Sequence, residues 1–119
     1  MMKLLKSFVY AFQGIITAIR TQQNMRIHLL AVIVVTTGGV FLELSAIEWS
    51  VIALTFGLVL VAEIMNTAFE VLVDMVSPER REEAGTVKDV AAGAVLLAAI
   101  IAAVVAVYIF GNKIFNLLL

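Results

Sequence analysis

An uncharged stretch of 23 residues, from Val90 to Asn112, constrains this chain more than any other feature of its sequence. The hydrocarbon core of a bilayer is about 30 Å thick and takes about 20 helical residues, so this stretch can cross it with some tilt. The chain has 119 residues, of which 63 % are hydrophobic, whereas soluble domains average about 45–50 %. We therefore predict an all-α integral membrane protein that forms a single domain over residues 1–119.

Hydrophobic periodicity and polar breaks predict four helices. Residues 2–22 place apolar side chains on one side of a helix and keep Lys3 and Lys6 away from most of it, which is typical of a helix lying in the membrane surface. The chain has no cysteine, which excludes disulfides and a thiolate metal site. Three membrane spans are predicted from the apolar runs, at about 27–42, 49–76 and 86–112.

The positions of Lys and Arg predict the orientation of these spans. Cations gather in the amino-terminal segment and in the loop at 75–88, the first loop has none, and the tail has only Lys113. Membrane proteins keep such cations in the cytoplasm, so we expect the amino terminus and the 75–88 loop on the cytoplasmic side, where ATP is found.

A stripe of polar side chains interrupts the apolar pattern near the end of the second span. Glu63, Asn66, Glu70 and Asp74 stand at positions i, i+3, i+7 and i+11. At the helical repeat these four fall within roughly 80° of arc on one face. Carboxylates are costly at membrane depth and repel one another, so the stripe predicts a site where a metal ion or another cation meets them.

Phosphoryl transfer fits a stripe of this kind. The reaction requires positioned phosphates, a divalent metal and a carboxylate that receives the proton of the attacking hydroxyl, and Mg²⁺ prefers oxygen ligands. Glu63, Glu70 and Asp74 could supply the base and a metal ligand, and Lys88 a phosphate contact. The glycine-rich nucleotide motifs of soluble proteins are missing from the sequence.

The motif Glu63-x-x-Asn66-x-Ala-x-Glu70-x-x-x-Asp74, followed by Lys88-Asp-x-Ala-x-Gly-Ala-Val, resembles the small prokaryotic diacylglycerol kinase family. The resemblance covers nearly the whole chain and includes Tyr-Ala-Phe-x-Gly at 10–14 and Asn-Met-Arg-Ile-His at 24–28. The segments Arg-Ile-His at 26–28 and Val-Ser-Pro-Glu at 76–79 are more similar to the Gram-positive branch of the family, whose members phosphorylate undecaprenol.

The resemblance implies a homotrimer of three-span protomers with a surface helix, composite sites between protomers, and a place in the cell membrane of a bacterium with the active site at the cytoplasmic face. It implies ATP as phosphoryl donor, Mg²⁺ as cofactor, a membrane lipid alcohol as acceptor and no nucleic-acid partner. The implied catalytic residues are Glu63, which is the base, Asn66, Lys88 and Asp89. Those implied for ATP are Lys3, Tyr10, Gln22, Glu70, Glu79, Arg80, Arg81, Lys88 and Asp89. Glu70 and Gln22 would hold the metal, and Glu63 and Asp74 would contact the lipid substrate.

Two positions depart from the pattern of the family. Gln22 stands where a glutamate usually supplies a second metal-coordinating carboxylate, and Arg81 stands where many relatives have histidine. An amide oxygen can ligate magnesium, but without charge. The similarity to the Gram-positive branch makes undecaprenol the first predicted substrate and diacylglycerol the second. The change at Gln22 leaves a membrane assembly with weakened or absent catalysis as the alternative.

Simpler interpretations of the same residues stay open at this point. The stripe carboxylates could pair with Arg20 or Arg26 of a neighbouring helix, and Asn66 could join helices by hydrogen bonding. Thr86 and Asp89 could form a capping pair. Other simple roles are a membrane anchor for Lys88, a satisfied interfacial position for His28 and a solvated loop for Arg80–Glu83.

Overall fold

The computed structural model describes residues 1–79 and 81–119, and Arg80, predicted at the nucleotide, lies outside the described residues. The described residues form four α-helices, α1 (Met2–Thr21), α2 (Gln23–Phe41), α3 (Ala46–Val76) and α4 (Glu82–Leu118). Each of them is long and apolar enough to cross a membrane. The prediction of an all-α membrane protein is thereby confirmed, whereas the surface position of α1 and the homotrimer stay predictions.

A single extended residue separates α1 from α2. The sequence predicts a polar turn within 20–26, and the chain breaks only at Gln22, which has φ −111° and ψ 114°. The guanidinium of Arg26 folds back over this break and donates to the carbonyls of Ile19 (3.2 Å) and Arg20 (2.9 Å). These carbonyls lie in the last turn of α1, where no helical partner is available, so Arg26 stabilises the helix end.

The connection between α2 and α3 is short and capped. The Ser45 hydroxyl accepts a hydrogen bond from the Glu48 amide (3.2 Å), and the Glu48 carboxylate accepts one from the Ser45 amide (2.9 Å). This reciprocal arrangement satisfies two amides at the start of a helix that have no helical partner. Lys113, near the end of α4, lies 3.1 Å from the same Glu48 carboxylate. Both neighbours of α3 are therefore tied to its amino-terminal end.

The start of α4 corrects two sequence interpretations. The helix begins at Glu82, four residues before the predicted start of the third membrane span, and Glu82 and Glu83 in its first turn complement the positive end of the helix dipole. Thr86 therefore lies inside the helix, where its hydroxyl donates to the Glu82 carbonyl (3.0 Å). The capping pair Thr86–Asp89 is wrong, and the predicted charged loop ends at Arg81.

The packing of the chain leaves most of its apolar surface exposed. α3 and α4 form the most extensive helix pair, and a small set of residues is buried between the helices: Ala18, Met25, Ile52, Val59, Val73, Val95 and Ala98. Large apolar side chains such as Phe41 and Leu54 remain exposed on the outside. A chain with this surface requires lipid or further protein around it.

Close packing at Gly39 gives a test of the fold. A Cβ atom at Gly39 would lie 2.6 Å from the Trp49 ring and 2.9 Å from Leu44. We expect Gly39→Ala to lower the free energy of unfolding by about 1–3 kcal/mol, because the extra methyl group forces these side chains to move. The measurement is thermal unfolding in detergent micelles.

Gly111→Ala is the matched control, since a Cβ atom at Gly111 would meet nothing within 4 Å. Alanine is the better helix former, so this variant should unfold at the wild-type temperature or slightly above it. Equal unfolding temperatures for the two variants would contradict the packing of Trp49 against α2.

Candidate functional site

Glu63 is the most deeply buried acidic residue of the stripe. Its side chain has no exposed surface, although it lies in the middle of a 31-residue apolar helix. Neither carboxylate oxygen has a hydrogen-bond partner among residues 1–79 and 81–119. Nε2 of His28 lies 3.7 Å from Oε2. A buried carboxylate without hydrogen bonds is costly, and such groups in native proteins generally serve a function.

Glu70 connects the stripe to the break between α1 and α2. Its Oε2 accepts a hydrogen bond from Nε2 of Gln22 (3.2 Å), and its Oε1 accepts one from Nδ2 of Asn66 (3.3 Å). The carbonyl oxygen of the Asn66 side chain is buried and has no partner within the described part of the chain. The half-buried Gln22 reaches α3 because the chain is extended there. We call Gln22, Glu63, Asn66 and Glu70 the acidic cluster.

Asp74 lies beyond this cluster and pairs with the next helix. Its carboxylate is 2.7 Å from the Lys88 ammonium, and the two side chains are 66 % and 40 % exposed. At this exposure the pair contributes at most about 1 kcal/mol to stability. A cavity of about 540 Å³ opens beside the pair and is lined in part by Asp74, Ser77, Glu79, Arg81 and Lys88. The cations and the cavity lie together at one end of α3 and α4.

Other predicted site residues make no polar side-chain contact within the described part of one protomer, although Glu79 and Arg81 line the cavity beside Lys88. Lys3, Tyr10, Glu79, Arg81 and Asp89 are exposed. Their side chains make no hydrogen bond or ion pair with any residue that the structure describes. Their roles at the nucleotide stay predictions.

The alternative in which arginines pair with the stripe finds no support. Within the described ranges, neither Arg20 nor Arg26 forms an ion pair, and Arg26 bonds the end of α1 instead. His28 lies beside Glu63 instead, whereas the sequence predicts a satisfied interfacial position for this histidine. The register of α2 against α3 could have predicted the proximity of His28 to Glu63. Because α2 and α3 run antiparallel through a short connection, the pairing of residue 22 with residue 70 places residue 28 beside residue 63 or 64.

The acidic cluster fits a hard cation. Carboxylate and amide oxygens are ligands that Mg²⁺ accepts, and one or two carboxylates are enough when substrate phosphates complete the shell. The unpartnered oxygens of Glu63 and Asn66 and the carboxylate of Glu70 are of this kind. Among residues 1–79 and 81–119, no three acidic or histidine side chains lie close enough together to hold a metal ion. One protomer therefore offers a partial ligand set.

The fold and the cluster define a class, an integral membrane protein of apolar helices with a buried acidic site near one end of the bundle. Residues 9–110 match the family model described as prokaryotic diacylglycerol kinase, and the chain belongs to this family. The predictions of the family and of a lipid kinase as the enzyme class are confirmed at this level.

The chain is similar to three bacterial kinases, of which two are named diacylglycerol kinase and one is named undecaprenol kinase. The chain is 48 % identical to the diacylglycerol kinase of Synechocystis sp. over 86 % of its own length, which corresponds to 59 % of that relative. It is 39 % identical to the undecaprenol kinase of Bacillus subtilis over 93 % of this chain and 90 % of that one. Identity to the diacylglycerol kinase of Escherichia coli is 29 % over 86 % and 84 % of the two chains.

The contact between Gln22 and Glu70 generates a prediction about residue 22. We expect Gln22→Glu to destabilise the metal-free protein by about 1–3 kcal/mol, since the change replaces a hydrogen bond with two facing carboxylates. Magnesium should remove the loss and leave the variant more active than wild type at limiting metal, because a carboxylate holds a dication better than an amide. Unfolding temperatures in chelator and in magnesium measure the effect.

Gln23→Glu introduces the same charge one residue away, at an exposed position. It should show neither the loss in chelator nor the recovery in magnesium. The same magnesium dependence in both variants would contradict a metal site between residues 22 and 70.

Proposed function

We propose that this protein transfers the γ-phosphate of ATP to a membrane lipid alcohol, with undecaprenol as the first candidate acceptor. The observation that carries the proposal is the buried carboxylate of Glu63, whose oxygens have no partner among the described residues. The undecaprenol kinase of Bacillus subtilis, which this chain matches along 93 % of its length, supports the choice of acceptor.

Glu63 is proposed as the base. A hydroxyl that reaches Glu63 can lose its proton to the carboxylate as it attacks phosphorus. Phosphoryl transfer requires little other covalent chemistry from the protein. Asn66 holds Glu70 through a hydrogen bond and thereby fixes the carboxylate that faces Gln22. Glu70 and Gln22 are the proposed magnesium ligands. Bound magnesium would neutralise the charge of the phosphates and hold them in place.

Residues at the ends of α3 and α4 are proposed to hold the nucleotide. The cavity beside the Lys88–Asp74 pair is large enough for phosphate groups, and Lys88 and Arg81 bring positive charge to it. Asp74 adjoins the acidic cluster along the stripe, which supports a contact with the lipid headgroup as well. The further proposed nucleotide residues are Lys3, Tyr10, Glu79, Arg80 and Asp89.

The proposed assembly is a homotrimer in the cell membrane, with α1 at the cytoplasmic surface. The apolar side chains of α1, including Leu4, Leu5 and Phe8, are more than half exposed, which suits a helix lying at headgroup level beside Lys3 and Lys6. The partial ligand set of one protomer favours composite sites completed by a neighbour. Cations at the amino terminus and in the loop at 75–88 favour the cytoplasmic side for both.

Diacylglycerol is the second candidate acceptor, because the relatives from Synechocystis sp. and Escherichia coli are named as its kinases. The charge lost at Gln22 favours a third candidate, an assembly with weakened catalysis. Purified protein in mixed micelles with ATP, magnesium and each lipid in turn separates the three. Phosphorylated undecaprenol should form faster than phosphatidic acid, and no product from either lipid would favour the third candidate.

A variant at Glu63 tests the role of the base. We expect Glu63→Gln to lower kcat by about 10²–10⁴-fold, because an amide cannot accept the hydroxyl proton. ATP binding should stay near wild type, since a base acts in the transition state and not in ground-state binding. The measurements are steady-state kinetics with lipid alcohol and equilibrium binding of ATP.

Glu43→Gln is the matched control, because Glu43 is exposed in the connection between α2 and α3. This variant should keep the wild-type kcat. A Glu63→Gln protein that turns over at the wild-type rate would show that the proton goes to another group.

A further inference from the structure

His28 is the one histidine of the chain, and it lies between two cavities of different character. The first cavity, of about 240 Å³, is lined by the polar side chains of Asn24, Glu63 and Asn66 together with apolar side chains of α2 and α4. The second, of about 170 Å³, is lined by apolar side chains of α2, α3 and α4, including Val35, Phe56 and Ala102. The histidine ring contributes to both linings, so it marks the point where the acidic cluster ends and the apolar interior begins.

The ring also lies close to the carboxylate of the proposed base. Nε2 of His28 is 3.7 Å from Oε2 of Glu63, and the two side chains are 18 % and 0 % exposed. No lysine or arginine within residues 1–79 and 81–119 lies in ion-pair range of Glu63. The distance exceeds a hydrogen bond of about 2.7–3.2 Å. Catalytic hydrogen bonds are often long before substrate binds and shorten in the loaded site.

We propose that His28 is a positioning residue for Glu63 in the phosphoryl transfer. In the loaded site the Nε2–H of the ring donates to Oε2, fixes the rotamer of the carboxylate and leaves Oε1 to face the lipid hydroxyl. The inference rests on the proposed function, because it gives Glu63 the role of the base.

The proton balance follows from this arrangement. As the oxygen of the lipid alcohol forms its bond to the γ-phosphorus, the bond from that phosphorus to the ADP oxygen breaks. The hydroxyl proton passes to Oε1 of Glu63 and returns to water after the product leaves. His28 neither gives nor takes a proton in this step. It keeps Oε1 in the direction of attack, and small misplacements of a catalytic group can cost about 10²-fold in rate.

Kinetics of two His28 variants test the inference in the full-length protein in mixed micelles. His28→Leu removes the ring N–H, and we expect kcat to fall by about 10–100-fold. The KM values for ATP and lipid alcohol should stay within about twofold, because orientation of the base matters in the transition state. His28→Gln places an amide N–H at similar reach and should recover a large part of the lost kcat.

Thr37→Val is the matched control on the same helix. Thr37 is exposed, and its hydroxyl donates to the Ile33 carbonyl within α2. This variant should keep the wild-type kcat. If His28→Leu fails to fold, the comparison of His28→Gln with wild type carries the test, and a kcat of His28→Gln below a hundredth of wild type in a folded protein would overturn the inference.

A double variant separates positioning from a general structural role. In a Glu63→Asp background the carboxylate is withdrawn from His28 by one methylene group, so His28→Leu should cost less than threefold there. Two independent effects would multiply instead, as expected for residues that are not coupled. Full multiplication, or a rise in KM with kcat unchanged, would overturn the inference.

The outcome also distinguishes this inference from the proposed function. Wild-type turnover of Glu63→Gln would contradict both the proposed role of Glu63 as the base and the positioning role of His28. An inactive Glu63→Gln protein beside a fully active His28→Leu protein leaves the proposed base in place and overturns only the role of His28.

Discussion

The Glu63 carboxylate has no exposed surface within an apolar helix, and neither of its oxygens has a hydrogen-bond partner among the described residues. A buried carboxylate requires polar groups or a cation beside it. The ring of His28 lies 3.7 Å from this carboxylate, and Gln22 and Asn66 donate hydrogen bonds to Glu70, two turns further along α3. The site is therefore a set of contacts between α3 and the start of α2.

The register between α2 and α3 depends on where the helices begin. Arg26 closes the end of α1, the extended Gln22 separates α1 from α2, and Ser45 with Glu48 fixes the start of α3. With both ends of α2 defined, its antiparallel course along α3 brings residue 22 to residue 70 and residue 28 to residue 63. The helix ends thereby decide which side chains meet the carboxylates.

Sequence reasoning found the acidic stripe and the family because both are local patterns. The spacing of Glu63, Asn66 and Glu70 on one face follows from helix periodicity alone. The proximity of His28 to Glu63 was missed because a contact between helices depends on register, which no single helix contains. Sequence reasoning placed Glu82 and Glu83 in a charged loop because they are polar, although acidic residues suit a first helical turn. Contacts between protomers cannot be predicted from one chain, because an apolar outer surface suits lipid and protein alike.

The central claim is that the acidic cluster transfers phosphate to a lipid alcohol, and product stoichiometry tests it most directly. The measurement follows ADP and phosphorylated lipid together in the reconstituted wild-type protein, with and without lipid alcohol. We expect equal amounts of ADP and lipid phosphate, and almost no ADP when lipid alcohol is left out, because the proton that Glu63 accepts comes from the lipid. ADP release at the same rate without lipid alcohol, with no phosphorylated lipid formed, would contradict the claim.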